Sequence, residues 1–308
     1  MKKRAIILTL CLSSCLFAVT LGVPQTISFS TYAINDYSHF ATDLGSLDRS
    51  IAHKKRFVEK MTDEITDKYP STSISTNHNR ENSAATASRF LSDNTDLSDF
   101  VFFAGHGNQQ ILAFYDYALG FANGNKKFGG NTKWVILDAC LFLNANKANQ
   151  LSSDPSNNSS VIDNARLTNI KKMFNGAHAI LGYHSKSWQG NIKKHWYSSA
   201  QWRTEDKFNH FAKYFIRDGR GLWDAYSSAI YKHYDDFVNN HAAGWTTNLS
   251  GYRPAIAYFY GDYNNGNVID MSLETYKLTW KGPITSSSGN FKFVDIKMAY
   301  SKAGTPKY

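Results

Sequence analysis

Three cysteines occur in the chain, and two of them, Cys11 and Cys15, lie in an apolar N-terminal stretch, so the remainder keeps a single thiol at Cys140. Cys140 closes a hydrophobic run, WVILDAC, and an earlier run, FVFFAGHG, carries His106 near its end. A thiol at one strand end and an imidazole at the end of the preceding strand are the parts of a nucleophile and its base. The imidazole takes the thiol proton and stabilises the thiolate that attacks a carbonyl carbon. Gly105 and Gly107 flank the histidine. Glycine permits close approach of a substrate carbonyl, and the amides of Gly107 and Cys140 would then hold the oxyanion. Taken singly, Cys140 reads as a small core hydrophobe and His106 as a loop residue. Their conjunction favours chemistry, and that chemistry requires no cofactor.

The elements that must position this pair follow from periodicity. Leu47, Ile51, Val58, Met61 and Ile65 recur at helical spacing, which predicts an amphipathic helix over 46–67 ended by Tyr69-Pro70. The segment STSISTNHNREN reads as a polar link, and 84–92 as a short second helix. Residues 99–104, 133–139 and 177–183 are continuously apolar, as strands buried on both faces of a parallel sheet are. The first two are far enough apart to contain a crossover helix, and a helical stretch around 162–174 precedes the third. Phe208, Phe211 and Phe215 share one helix face, Leu222, Tyr226 and Ile230 another, with Gly219 and Gly221 between them. The charged residues of 54–68 and the pair Asp235-Asp236 read as solvated faces. The predicted fold is a three-layer α/β sandwich with a mainly parallel central sheet. Functional groups of such sheets collect at the carboxyl ends of the strands, where His106 and Cys140 fall. After about Tyr252 the alternation and Gly-Asn turns suit antiparallel strands, which predicts a β-rich C-terminal extension.

At the other end, Lys2, Lys3 and Arg4 precede an apolar stretch from Ala5 to about Val23, the anatomy of a secretory signal. Cleavage is expected near Gly22 or after Ala33. The expected division is therefore a signal peptide over 1–33, an α/β domain over 34–262 and the extension over 263–308. Lipidation at Cys15 and an uncleaved anchor are the weaker alternatives, so the expected location is secreted or at the cell surface. The net charge of +9 falls to +6 without Lys2, Lys3 and Arg4, and no basic run interleaved with aromatics suggests a nucleic-acid groove. No other apolar segment is long enough to span a membrane.

The pair FVFFAGHG and WVILDAC resembles the motifs of the caspase-like cysteine peptidases, the group that contains caspases, legumain, gingipain, clostripain and separase. The resemblance covers roughly residues 34 to 260, and the order GHG, DAC, HAILGYHS is similar to that of bacterial secreted domains within the group. It implies that His106 is the catalytic histidine, Gly107 the glycine after it, Ala139 the residue before the nucleophile and Cys140 the nucleophile. Leu141-Phe142-Leu143 stands where several active families carry small or polar residues. In the resembling families the position two before the nucleophile often lines the pocket for the residue ahead of the cleaved bond. Asp138 there implies a preference for Arg, Lys or Asn, whereas the plainer reading has Asp138 capping a loop or a backbone amide.

The expected partner is a protein or peptide substrate; the oligomeric state is left open. His184 follows the third strand and is a candidate substrate contact or else a loop histidine, and Trp188 reads as core packing more readily than as a nearby wall. His178, His184 and His195 match no metal-site spacing, and no metal is expected. The reading from a different class is a catalytically silent caspase-like domain that binds protein through an aromatic-rich surface.

Overall fold

The computed structural model describes residues 26–40, 44–121, 127–145, 163–185, 187, 191–193, 201–240, 253–260, 273, 290–295, 299–300 and 306–307. Among the described residues the first element is β1 (Thr26–Ala33); the chain then crosses through helix α1 (Ser50–Lys68) to β2 (Ser73–Glu81), and passes through α2 (Ala87–Ser92) to β3 (Phe100–Ala104). Three short strands follow, β4 (Gly107–Asn108), β5 (Ile111–Ala113) and β6 (Ala118–Gly120), then β7 (Phe128–Gly129) and β8 (Trp134–Asp138). Helix α3 (Asn164–Lys172) leads to β9 (Phe174–Asn175) and β10 (Ala179–Tyr183). Beyond a small pair, β11 (Asn191–Lys193) and β12 (Gln201–Arg203), come α4 (Lys207–Ala212), α5 (Leu222–Asn240), β13 (Pro254–Tyr260) and β14 (Asn290–Asp295).

Seven strands form one sheet in the order β14-β13-β10-β8-β3-β1-β2. The five from β10 to β2 are mutually parallel, and β13 and β14 are antiparallel additions at one end. The sheet is thus mainly parallel, within an α/β architecture. β3 and β8 are buried at every position because both faces are covered, which is why their sequences are continuously apolar. On one face Phe57 of α1 stacks on Phe102 at 4.5 Å and meets Phe208 of α4 at 5.7 Å, while Phe215 packs edge-on against Trp134 at 5.5 Å. On the other, Phe90 of α2 packs against Tyr32 and Phe114, and Phe114 against Phe103. Gly219, at φ +67°, ends the π-helical turn Lys213–Arg217 that continues α4.

Several expectations need correction. Thr26–Ala33 is an interior strand between β3 and β2, buried from Ile27 onward, so the folded domain begins by Thr26 and not at residue 34. Cleavage after Ala33 would remove that strand; the apolar stretch before it lies outside the described residues. The polar segment after Tyr69-Pro70 is β2, whose polarity reflects its place at the sheet edge. Between β3 and β8 the described residues form the hairpins β4–β5–β6 in place of a crossover helix. The boundary at 262 does not separate two sheets, because β14 pairs with β13 in the main sheet. The turn sequence at 262–267 and most of the extension lie outside the described residues. Lys54 is buried, donating to Asn79 and Glu81, and is not on a solvated face. Among the described residues, no helix is long and apolar enough to cross a membrane.

Candidate active site

β3 and β8 are neighbours in parallel, with Ala104 opposite Asp138. The residues just beyond, Gly105-His106 and Ala139-Cys140, therefore leave the same carboxyl edge side by side, and the Gly105 N–H extends the ladder to the Asp138 carbonyl at 3.4 Å. Both His106 and Cys140 are partly exposed. Leu141 turns the chain at φ +56°, in a region a branched side chain adopts only when its surroundings hold it there. Its N–H donates to the Ser185 carbonyl at 2.8 Å, and Leu143 N–H donates to the Tyr183 carbonyl at 3.1 Å. The apolar Leu141-Phe142-Leu143 thus makes the turn that presents Cys140: Phe142 and Leu143 are buried beneath it.

The sulfur is held by Ser187: the Cys140 thiol donates to the Ser187 carbonyl at 3.3 Å, and the Ser187 N–H donates to Sγ at 3.4 Å. His106 is held at both ends. Its backbone N–H donates to the Tyr37 hydroxyl at 2.9 Å, and Nε2 lies 2.9 Å from the Gly45 carbonyl. A carbonyl only accepts, so Nε2 carries the proton and Nδ1 is the basic nitrogen of the neutral ring. Gly107 lies against the turn of Cys140, where a Cβ would come within 2.8 Å of Ala139 Cβ and 3.0 Å of the Cys140 carbonyl. The Ala113 N–H donates to the His106 carbonyl, which makes Gly107 and Leu112 a non-hydrogen-bonded pair and turns the Gly107 N–H away from β5.

Asp138 is enclosed by protein groups and is not open to solvent. Trp134, Ile136 and Asp138 alternate onto the face covered by α1 and α4, and the carboxylate is 1% exposed. It accepts from Lys207 Nζ at 2.7 Å, from Ser187 Oγ at 2.9 Å and from His53 Nδ1. A basic substrate side chain would have to displace a buried lysine. Burial alone would raise the Asp138 carboxyl, but Lys207 and His53 outweigh it and hold it well below the usual carboxylate range. Burial in turn pushes His53 down to about 4, so its neutral ring donates from Nδ1 and accepts the Thr204 hydroxyl at Nε2, 2.6 Å away. Arg49 pairs with Glu205 beside this group.

His184 is also buried: it is 2% exposed and its ring packs 5.9 Å from that of Phe293 in β14. Trp188 and His195 lie outside the described residues. Among the described residues, no group of three or more His, Cys, Asp or Glu side chains is arranged to hold a metal ion. Sequence reasoning missed Tyr37, Gly45, Ser187, His53 and Lys207. His53 alone left a signal, since it stands four residues before Phe57 on the stripe that continues to Met61 and Ile65.

No family model and no curated protein matches the sequence. Solved structures align with it at low identity. The chain is similar to the Arg-specific cysteine proteinase gingipain R at 10% identity and a TM-score of 0.42, over 72% of this chain and 45% of that one. A complex of pro- and mature domains from Porphyromonas gingivalis gives 11% and 0.39, over 70% and 44%. The Drosophila initiator caspase Dronc gives 9% and 0.37, over 81% and 83%. The chain spans less than half the length of the two gingipain chains.

Proposed function

We propose that the protein is a caspase-like cysteine hydrolase of peptide bonds, exported from the cell, in which Cys140 is the nucleophile and His106 the general base. The observation that carries this reading is the register of β3 against β8, which sends the two residues out of the sheet at neighbouring strand ends. The motifs FVFFAGHG and WVILDAC support it as well. His106 Nδ1 takes the thiol proton while Nε2–H remains on the Gly45 carbonyl. The sulfur then adds to the peptide carbonyl, whose oxygen accepts from the Gly107 and Cys140 amides. As the C–N bond breaks, His106 returns the proton to the leaving amine. A water that gives its proton to His106 then attacks the thioester, and the Cys140 sulfur leaves as the acid is released.

Thiol labelling tests the reading. Iodoacetamide should modify Cys140 at mildly acidic pH in the native wild type, and His106→Ala should move labelling up toward about pH 8.5, the range of an ordinary cysteine. A peptide library should be cleaved by the wild type and left intact by Cys140→Ala. A thiol inert in the native chain and labelled only on unfolding would favour a silent, protein-binding domain instead.

A further inference from the structure

We propose that Tyr37 is a positioning residue for His106, fixing the base through a hydroxyl built into the hairpin that carries it. The proposal rests on His106 being that base. Tyr37 follows β1 by four residues and is 2% exposed. Its hydroxyl accepts the His106 backbone N–H at 2.9 Å and donates to the Ala113 carbonyl at 3.0 Å. The Ala113 N–H donates to the His106 carbonyl at 3.0 Å. An antiparallel pair normally exchanges two direct bonds. Here one is direct, and the phenol is inserted into the other. The hydroxyl can donate only while protonated, and burial pushes the Tyr37 phenol well up.

Two further contacts show that the site is shaped around this side chain. The Tyr37 ring lies 4.7 Å from the His106 imidazole at 57°, limiting the directions in which the imidazole can swing. A Cβ at Gly105 would overlap the Tyr37 hydroxyl and crowd the Phe103 ring, so the phenol and that ring together favour glycine before His106. Backbone, ring plane and Nε2 of His106 are thereby held by Tyr37 and Gly45 together, and a misplacement of about 1 Å at such a base costs on the order of 100-fold in rate.

The test uses the full chain and Tyr37→Phe, which keeps the ring and removes the bridge. Its iodoacetamide profile should shift toward that of His106→Ala, with labelling at pH 6 slowed roughly tenfold, and kcat on a cleaved peptide should fall about 10- to 100-fold with KM within about twofold. In a His106→Ala background, Tyr37→Phe should change the labelling profile no further, which separates action through His106 from a direct effect on Cys140. The ¹⁵N tautomer ratio of His106 should shift away from Nε2–H in Tyr37→Phe. If Tyr37→Phe does not fold, Gly105→Ala displaces the same hydroxyl and should give the same direction of change. An unchanged tautomer ratio together with an unchanged labelling profile would overturn the proposal. A His106→Ala chain that labels like the wild type would overturn the peptidase reading instead, and the tautomer ratio would then decide the role of Tyr37 by itself.

Discussion

The Cys140 sulfur and the Asp138 carboxylate are two positions apart in sequence and occupy opposite environments. Cys140 is half-buried in a strained turn, with a sulfur that both accepts from and donates to the Ser187 backbone. Asp138 is enclosed by Lys207, His53 and the Ser187 hydroxyl, with Lys207 also lying 5.2 Å from the Tyr183 ring. Removing one member of a buried ion pair strands the other charge in a medium that cannot solvate it. Asp138→Asn is therefore expected to lower unfolding free energy by about 3–5 kcal/mol, measured by urea denaturation, and to leave the residue preference of any cleavage unchanged. Adding Lys207→Met should recover much of that loss, because no unpaired charge then remains. A stable Asp138→Asn variant with altered preference would return Asp138 to the substrate pocket.

At the scale of elements, β1 carries more than its eight residues suggest. It pairs with β3 from Phe29 to Ala33 and with β2 along its whole length, and the chain leaving it delivers Tyr37 to His106. Without it, β2 has no strand partner among the described residues and β3 loses one side. A chain starting at Ile34 is expected to be insoluble or to lack a cooperative thermal transition, whereas one starting near Val23 should unfold cooperatively in calorimetry. If the leader is cut on export, N-terminal sequencing of the mature protein should place the cut before Thr26. A folded, active chain beginning at Ile34 would contradict the role assigned to β1. Helix α1 similarly serves the sheet with polar as well as apolar side chains, since His53 and Lys54 are both buried under it.

For the molecule as a whole, buried neutral histidines set the response to acid. Burial holds His53 down to about 4, and lowers His233 and His210 as well. In the unfolded chain these rings titrate near 6.5, so between about pH 6.5 and 4 the unfolded state binds more protons and stability falls as pH falls. For His53 the drop from 6.5 to about 4 corresponds to about 3 kcal/mol, present in full above pH 6.5 and lost on acidification. The urea midpoint should be level above about pH 6.5 and decline steadily below it. His53→Gln should flatten part of that decline, and a wild-type midpoint that stays level down to pH 4.5 would contradict the assignment. Asp138 acts in the same direction, but only in stronger acid, because its carboxyl is held below the usual range.

The buried parallel strands, the helix ahead of Pro70 and the placement of His106 and Cys140 at strand ends were legible in the sequence, because burial on both faces and helical periodicity are local patterns written in side-chain type. β1 was masked by its own polarity: Ser28, Ser30 and Thr31 break the apolar run, and they are tolerated because Ser28 bonds Asp99 and Ser30 bonds Ser98 across the sheet. The burial of Asp138 and His184 was hidden from the sequence for a related reason. Alternation tells which side of a strand a residue faces, and only packing tells what already occupies that side, Lys207 and His53 in one case and Phe293 in the other. Tyr37 and Ser187 left no local signal at all, since each reaches its partner across 69 and 47 residues of chain. The sequence by itself determined the chemistry available at two strand ends. The tertiary structure decided which groups hold those ends in place, because hydrogen bonds between residues so far apart exist only once the sheet has formed.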